Sequence, residues 1–98
     1  MAHYRVLLHG HNLWLALDGR VRHLGFYVTR FVQAGSPLEA ERRALREIVE
    51  EPYLRFAHNK AGDPPFVDVR ECGPVAREAV PEVAPGYALY LIDERDAA

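Results

Sequence analysis

His9-Gly10-His11 is the part of this chain closest to a metal-binding pattern. Side chains two positions apart on a strand point to the same face, so the two imidazoles can address one ion. His3 lies about 20 Å farther along an extended strand and cannot join them. A complete site would need a carboxylate from elsewhere, and a bend at Gly10 would separate even the pair. The competing reading is two solvent-facing strand histidines. A second constellation is basic: Arg20, Arg22 and His23 follow the turn sequence Asp18-Gly19, beside Trp14 and Tyr27. Arginines that hold phosphates and aromatics that stack on bases can together make a nucleic-acid surface. The same residues suit an acidic protein partner equally well. A third set is Arg30 with Tyr27 and Tyr90. Arg30 interrupts an apolar strand face, where it would either grip a carboxylate ligand or form a structural ion pair with Asp68 or Glu71. The one cysteine, Cys72, precedes Gly73-Pro74 with only His58 near it as a base, and an inert thiol accounts for it. No Ser-His-Asp spacing, Gly-rich phosphate loop or apolar carboxylate pair occurs. The sequence therefore names no catalytic residue and no cofactor.

Composition narrows the classes further. The chain has 98 residues, 49% hydrophobic and 27% charged, which suits one globular domain spanning 1–98. Met1 to Gly35 carries four arginines and one aspartate, or +3; the whole chain is −2, so residues 36–98 carry −5. That split hints at a surface for something negative. A pI near 6.2, however, disfavours nucleic acid, and three or four arginines would give only weak, salt-sensitive RNA binding. Arginine outnumbers lysine eleven to one, which codon usage in a GC-rich genome explains without invoking phosphate. One cysteine excludes an internal disulfide and a thiolate zinc site. No basic-then-apolar leader precedes the first strand pattern, and apolar runs such as Leu13 to Leu17 are far too short for a bilayer. A cytoplasmic protein without membrane contact is expected.

The elements that must position these residues are legible in outline. Tyr4, Val6 and Leu8 alternate on one strand face, whereas Leu13, Leu15 and Leu17 fall on the opposite parity. A bulge or bend near Gly10, breaking the first strand in two, would reconcile them. Asp18-Gly19 marks a tight turn, and Gly25 to Ala34 is a second strand rich in β-branched and aromatic residues. Ser36-Pro37-Leu38-Glu39 combines an N-cap, a proline at the first helical position and a capping-box glutamate. The helix should bury Leu38, Glu41, Leu45 and Ile48, with Ala44 and Val49 beside them, and end at Pro52. Its other face, with Glu39/Arg43, Arg43/Glu47 and Arg46/Glu50 at i,i+4, should neutralise itself in water. A short turn near 53–58 would pack Leu54 and Phe56. Phe66 to Arg70 reads as a strand with Val67 and Val69 inward, 73–85 as a long connection, and Gly86 to Ile92 as a strand apolar on both faces. That last strand should be central or covered by a partner, and the tail, 94–98, frayed.

The stretch Gly25-Phe26-Tyr27-Val28-Thr29-Arg30-Phe31-Val32-Gln33-Ala34, followed by Ser36-Pro37-Leu38-Glu39-Ala40-Glu41-Arg42-Arg43-Ala44, resembles a group of small uncharacterised bacterial proteins. These share a GF-aromatic-x-TRFV-x-A strand and an EAE-x-x-A helix. The resemblance covers mainly residues 4–50, with echoes at Asp63-Pro64-Pro65 and Gly86-Tyr87. It implies a strand leading into a helix and carries no activity or site.

The expected fold is thus α+β: an antiparallel sheet of four or five strands in the order ββαββ, with one main amphipathic helix on one face. One helix leaves the second face bare, so either the 73–85 connection or a second copy of the chain must cover it. The function expected from the sequence is a non-enzymatic binding module acting as a homodimer, with Arg20, Arg22 and His23 as its contact surface. The alternatives are a small enzyme or ligand binder around Arg30, Tyr27 and Tyr90, and a weak RNA-binding module.

Overall fold

The computed structural model describes residues 1–92. Strands β1 (Ala2–Leu17) and β2 (Arg20–Ala34) form a long hairpin, followed by helix α1 (Pro37–Val49), a single turn α2 (Pro52–Arg55), strand β3 (Phe66–Val75), a 3-10 turn (Arg77–Ala79) and strand β4 (Ala88–Leu91). The strands make one antiparallel sheet in the order β3-β1-β2-β4. This is the expected α+β architecture, at the four-strand end of its range. The expected frayed tail lies outside the described residues.

Asp18 and Gly19 join β1 to β2 with φ of 52° and 79°. Two successive left-handed residues form the turn whose twist matches a hairpin, which is why Asp-Gly signals it. The parity switch on β1 is a bulge: Gly10 pairs with Phe26 and Leu13 with Leu24, leaving His11 and Asn12 opposite Gly25. Asn12 takes up the irregularity at φ 59°. Val6, Leu8, Leu13 and Leu15 consequently all reach the same core as Leu24, Phe26, Val28 and Val32 on β2. Gly10 is required there, because the Phe26 ring occupies the space a Cβ would fill.

Ser36 caps α1 as its sequence predicts: Oγ accepts from Glu39 N at 3.2 Å, and Glu39 Oε2 accepts from Gly35 N at 2.9 Å. The buried stripe differs from the expected one. Ala40, Ala44 and Ile48 face the sheet, with Leu45 beside them, whereas Leu38 and Val49 are exposed. Two alanines allow the helix backbone to sit close over Tyr4, Val6, Val32 and Ala34, so sheet side chains supply most of the bulk. The outer face is also less self-contained than expected. Glu39 and Arg43 pair at 2.7 Å, but Arg43 also donates to Gln33 O and Glu47 turns toward Arg30. In the turn after α1, Leu54 packs on the core and Phe56 is exposed.

β3 runs to Val75, through residues expected to begin a loop, and its register slips at Arg70: Leu7 faces Glu71, and Leu8 faces Val69. Past the Phe66 start of β3, the chain at 58–59 completes the edge of β1. His58 N donates to Trp14 O, and the Asn59 side chain accepts from Trp14 N and donates to Asn12 O. β4 corrects the central-strand alternative. It is an edge strand, paired only with β2, and its four residues are exposed. The segment before it, through Pro81 and Pro85, lies on the helix side, against Arg30 and the end of α1. Among the described residues nothing covers the other face of the sheet. Among the described residues no helix is long and apolar enough to cross a membrane.

Candidate functional site

Strand alternation sends a second set of side chains to this helix-free face: His9 and His11 from β1, Tyr27 from β2, Asp68 and Arg70 from β3, and Tyr90 from β4. Four strands converge on His9, which is 8% exposed although no helix lies above it. Its ring stacks on Tyr27 at 4.5 Å between centroids and on His11 at 5.4 Å. Nε2 lies 2.5 Å from Tyr90 Oη, and Nδ1 lies 2.8 Å from an Arg70 guanidinium nitrogen. Asp68 Oδ1 stands 3.8 Å from the same Nδ1 and 3.5 Å from Arg70 Nε. That oxygen is buried and has no hydrogen-bond partner.

Two local features build this cluster. The slip at Arg70 adds a residue to β3, so Asp68 still faces His9 while the arginine reaches across from the extra position. Gly25 pairs with Tyr90, and a Cβ at Gly25 would clash with Tyr90 Cζ and Oη; the missing side chain lets the phenol lie against β2 with its hydroxyl at His9. Burial, the Arg70 charge and His11 all hold the His9 pKa below the ordinary imidazole value, against a smaller opposing pull from Asp68. Burial also raises the Tyr90 phenol, aided by Tyr27. At pH 7 the cluster is therefore a neutral imidazole bonded to a neutral phenol and flanked by a guanidinium–carboxylate pair.

The face continues at both ends. His11 packs against Phe66 at 4.9 Å. Past the bulge, Trp14 and His23 stack at 4.2 Å with nearly parallel planes. His23 Nε2 bonds Asn12 Oδ1 at 2.9 Å, and the Asn12 amide donates to Asp63 Oδ1 and Pro64 O, fastening the 58–64 loop to the hairpin. Tyr27 is 42% exposed and Phe66 54%, so these rings present a wide aromatic surface to solvent.

The residues singled out in the sequence divide between the two faces. His9 and His11 lie side by side, but both ring nitrogens of His9 are engaged by Tyr90 and Arg70. Among the described residues no group of three His, Cys, Asp or Glu side chains is arranged to hold a metal ion. Arg20 and Arg22 pair with Leu17 and Leu15 and so point to the helix side, while His23 stacks on Trp14 on the other; the three share no surface. Tyr27 and Tyr90 belong to the His9 cluster, whereas Arg30 lies behind the sheet, so these three make no common pocket.

Arg30 is 8% exposed and is held by partners other than Asp68 and Glu71. Its guanidinium donates to Thr29 O and Pro85 O at 3.0 Å each and to Glu51 Oε1 at 3.2 Å, with Glu47 at 4.0 Å. It also lies over the Tyr87 ring, whose hydroxyl is pushed up to about 12, chiefly by burial. An open groove of about 540 Å³ runs past it, lined also by Glu50, Val80 and Pro81. Arg30 is thus a clamp joining β2, the α1–α2 junction and the chain before β4. Cys72 faces Pro37 O and Glu41, and burial raises its thiol pKa, the reverse of what an activated nucleophile requires.

Sequence reasoning missed the convergence on His9. Arg70 was not singled out, and Asp68 appeared only as a partner for Arg30. The available signals were the two-sided apolar pattern at 87–92 and Gly25 at a strand start. Comparison of the chain with protein-family models, with curated proteins and with solved structures finds no match.

Proposed function

We propose that this protein is a non-enzymatic cytoplasmic binding module that acts as a homodimer, with the helix-free sheet face as its contact surface. The observation that carries this reading is the aromatic and imidazole surface around His9, open to solvent among the described residues on a sheet whose other face is packed. Tyrosine, tryptophan and arginine over a desolvated centre are the usual energetic anchors of protein interfaces. A second copy is the favoured occupant because the face carries both signs in balance. Arg5 and Arg70 stand beside Glu71 and Asp68, so a two-fold operation can set each sign against its opposite. Sedimentation equilibrium tests the reading: wild type should be a dimer, and Tyr27→Glu, which places a charge at the centre of the face, should be a folded monomer. A monomeric wild type at high micromolar concentration would overturn it.

A second reading, weak binding of single-stranded RNA, is supported by the exposed rings of Tyr27 and Phe66 on an open sheet, where bases can stack. Gel shifts at two salt concentrations test it; the absence of any shift at low salt would dismiss it.

A further inference from the structure

Hydrogen-bond direction at His9 can be assigned without locating a hydrogen. A guanidinium only donates, so the His9 Nδ1 facing Arg70 at 2.8 Å must present its lone pair. The one proton of the neutral ring therefore sits on Nε2 and is donated to Tyr90 Oη. Tyr90 accepts there and keeps its own O–H for an acceptor beyond; among the described residues it has none. The chain has one polarity, Arg70 to His9 to Tyr90 to the occupant of the face.

We propose that His9 is a proton-operated gate on this face: in its neutral form it holds Arg70 at Nδ1, and a second proton there expels Arg70 and passes His9 to Asp68, while Nε2–H stays on Tyr90 in both states. An imidazolium has only donors, so the Arg70 contact becomes a donor facing a donor between two like charges. Asp68 Oδ1, buried 3.8 Å away with no hydrogen bond and only the Arg70 Nε ion pair at 3.5 Å, is the acceptor that replaces it after a shift of under about 1 Å. The groups around the ring from every packed element are His11 on β1, Tyr27 on β2, Arg70 and Asp68 on β3, and Tyr90 on β4. Only Asp68 favours the cation, so the gate operates on the acid side of the ordinary imidazole value. The consequence for assembly rests on the homodimer reading: two stacked faces would each gain a buried charge, and acid would dissociate them.

The two claims separate experimentally. Ring-nitrogen NMR of His9 in the intact protein, followed from pH 8 to 4, should find the Nε2–H tautomer and a midpoint below about 6.5. Arg70→Met should raise that midpoint and Asp68→Asn should lower it further. An Nδ1–H tautomer at pH 8, or a midpoint that neither substitution moves, overturns the gate. Sedimentation over the same range then reads the coupling: a dimer that weakens at least tenfold as His9 titrates supports it, and a dimer indifferent to pH overturns it. A monomer at every pH with the NMR behaviour intact dismisses the homodimer and leaves the gate standing.

Discussion

Replacing Arg30 measures whether the helix side of the molecule is held by an ion pair or by a carbonyl clamp. Arg30→Ala removes two bonds from a charged donor, to Thr29 O and Pro85 O, and the contact with Glu51. At about 1.5 kcal/mol each, the two carbonyl bonds account for about 3 kcal/mol. The Glu51 side chain is 34% exposed and Glu47 53%, so both carboxylates rehydrate when the arginine leaves. Their share is therefore that of a partly screened pair, under about 1 kcal/mol. Losing the buried stem weakens packing as well, which Arg30→Met should recover by about 1 kcal/mol, though not the guanidinium's place over the Tyr87 ring. Urea unfolding followed by Trp14 fluorescence gives the stabilities. Arg30→Ala should cost about 3–4 kcal/mol, about 4–8 °C in Tm for each, while Glu51→Gln should cost under about 1 kcal/mol. A cost under about 1 kcal/mol for Arg30→Ala, or equal costs for the two variants, would refute this division.

Three further outcomes follow from other parts of the fold. Ile48→Ala should cost about 2–5 kcal/mol, whereas Leu38→Ala and Val49→Ala should stay within about 0.5 kcal/mol; similar losses at all three would contradict the assigned helix face. Gly25→Ala should push Tyr90 off β2 and leave the buried His9 Nε2–H without an acceptor, costing about 1–3 kcal/mol by chemical denaturation, and a surviving Tyr90–His9 NOE would count against this. His9 should also make stability depend on pH. Its folded pKa lies below its unfolded value, so the unfolded chain binds more protons as pH falls past about 6.5. The stabilising contribution is full above that value and is lost as pH drops through the folded pKa. Wild type should therefore lose more stability than His9→Gln between pH 7 and 5, and parallel losses would be inconsistent with a buried neutral His9.

What could be read from the sequence was local. The Asp18-Gly19 turn, the Gly10 bulge and the Ser36 cap each depend on residues within a few positions of one another, and all three are present. The helix face was misjudged because apolar patterning weights Leu38 and Val49 over alanine, while close packing on a sheet rewards Ala40 and Ala44. Arg30 stood out as an interruption of an apolar strand face, but its partner lies at the α1–α2 junction and not on β3, a position set by how the helix docks. The His9 cluster was least legible. His9, Arg70 and Tyr90 meet across sequence separations of 61 and 81, through a register slip that no local pattern signals. The apolar run at 87–92 suggested a central or partner-covered strand; it lies at the sheet edge and supplies the tyrosine that bonds His9.

The central claim is that the helix-free face meets a second copy of this chain. Isotope-filtered NOE spectroscopy on an equal mixture of labelled and unlabelled protein tests it most directly, since only intermolecular contacts appear. The predicted result is cross-peaks from the rings of Tyr27, Tyr90, His11 and Phe66 on one copy to β1–β3 side chains of the same face on the other. Intermolecular cross-peaks confined to α1 or to the Asp18-Gly19 tip, or none at a concentration of about 1 mM, would contradict it.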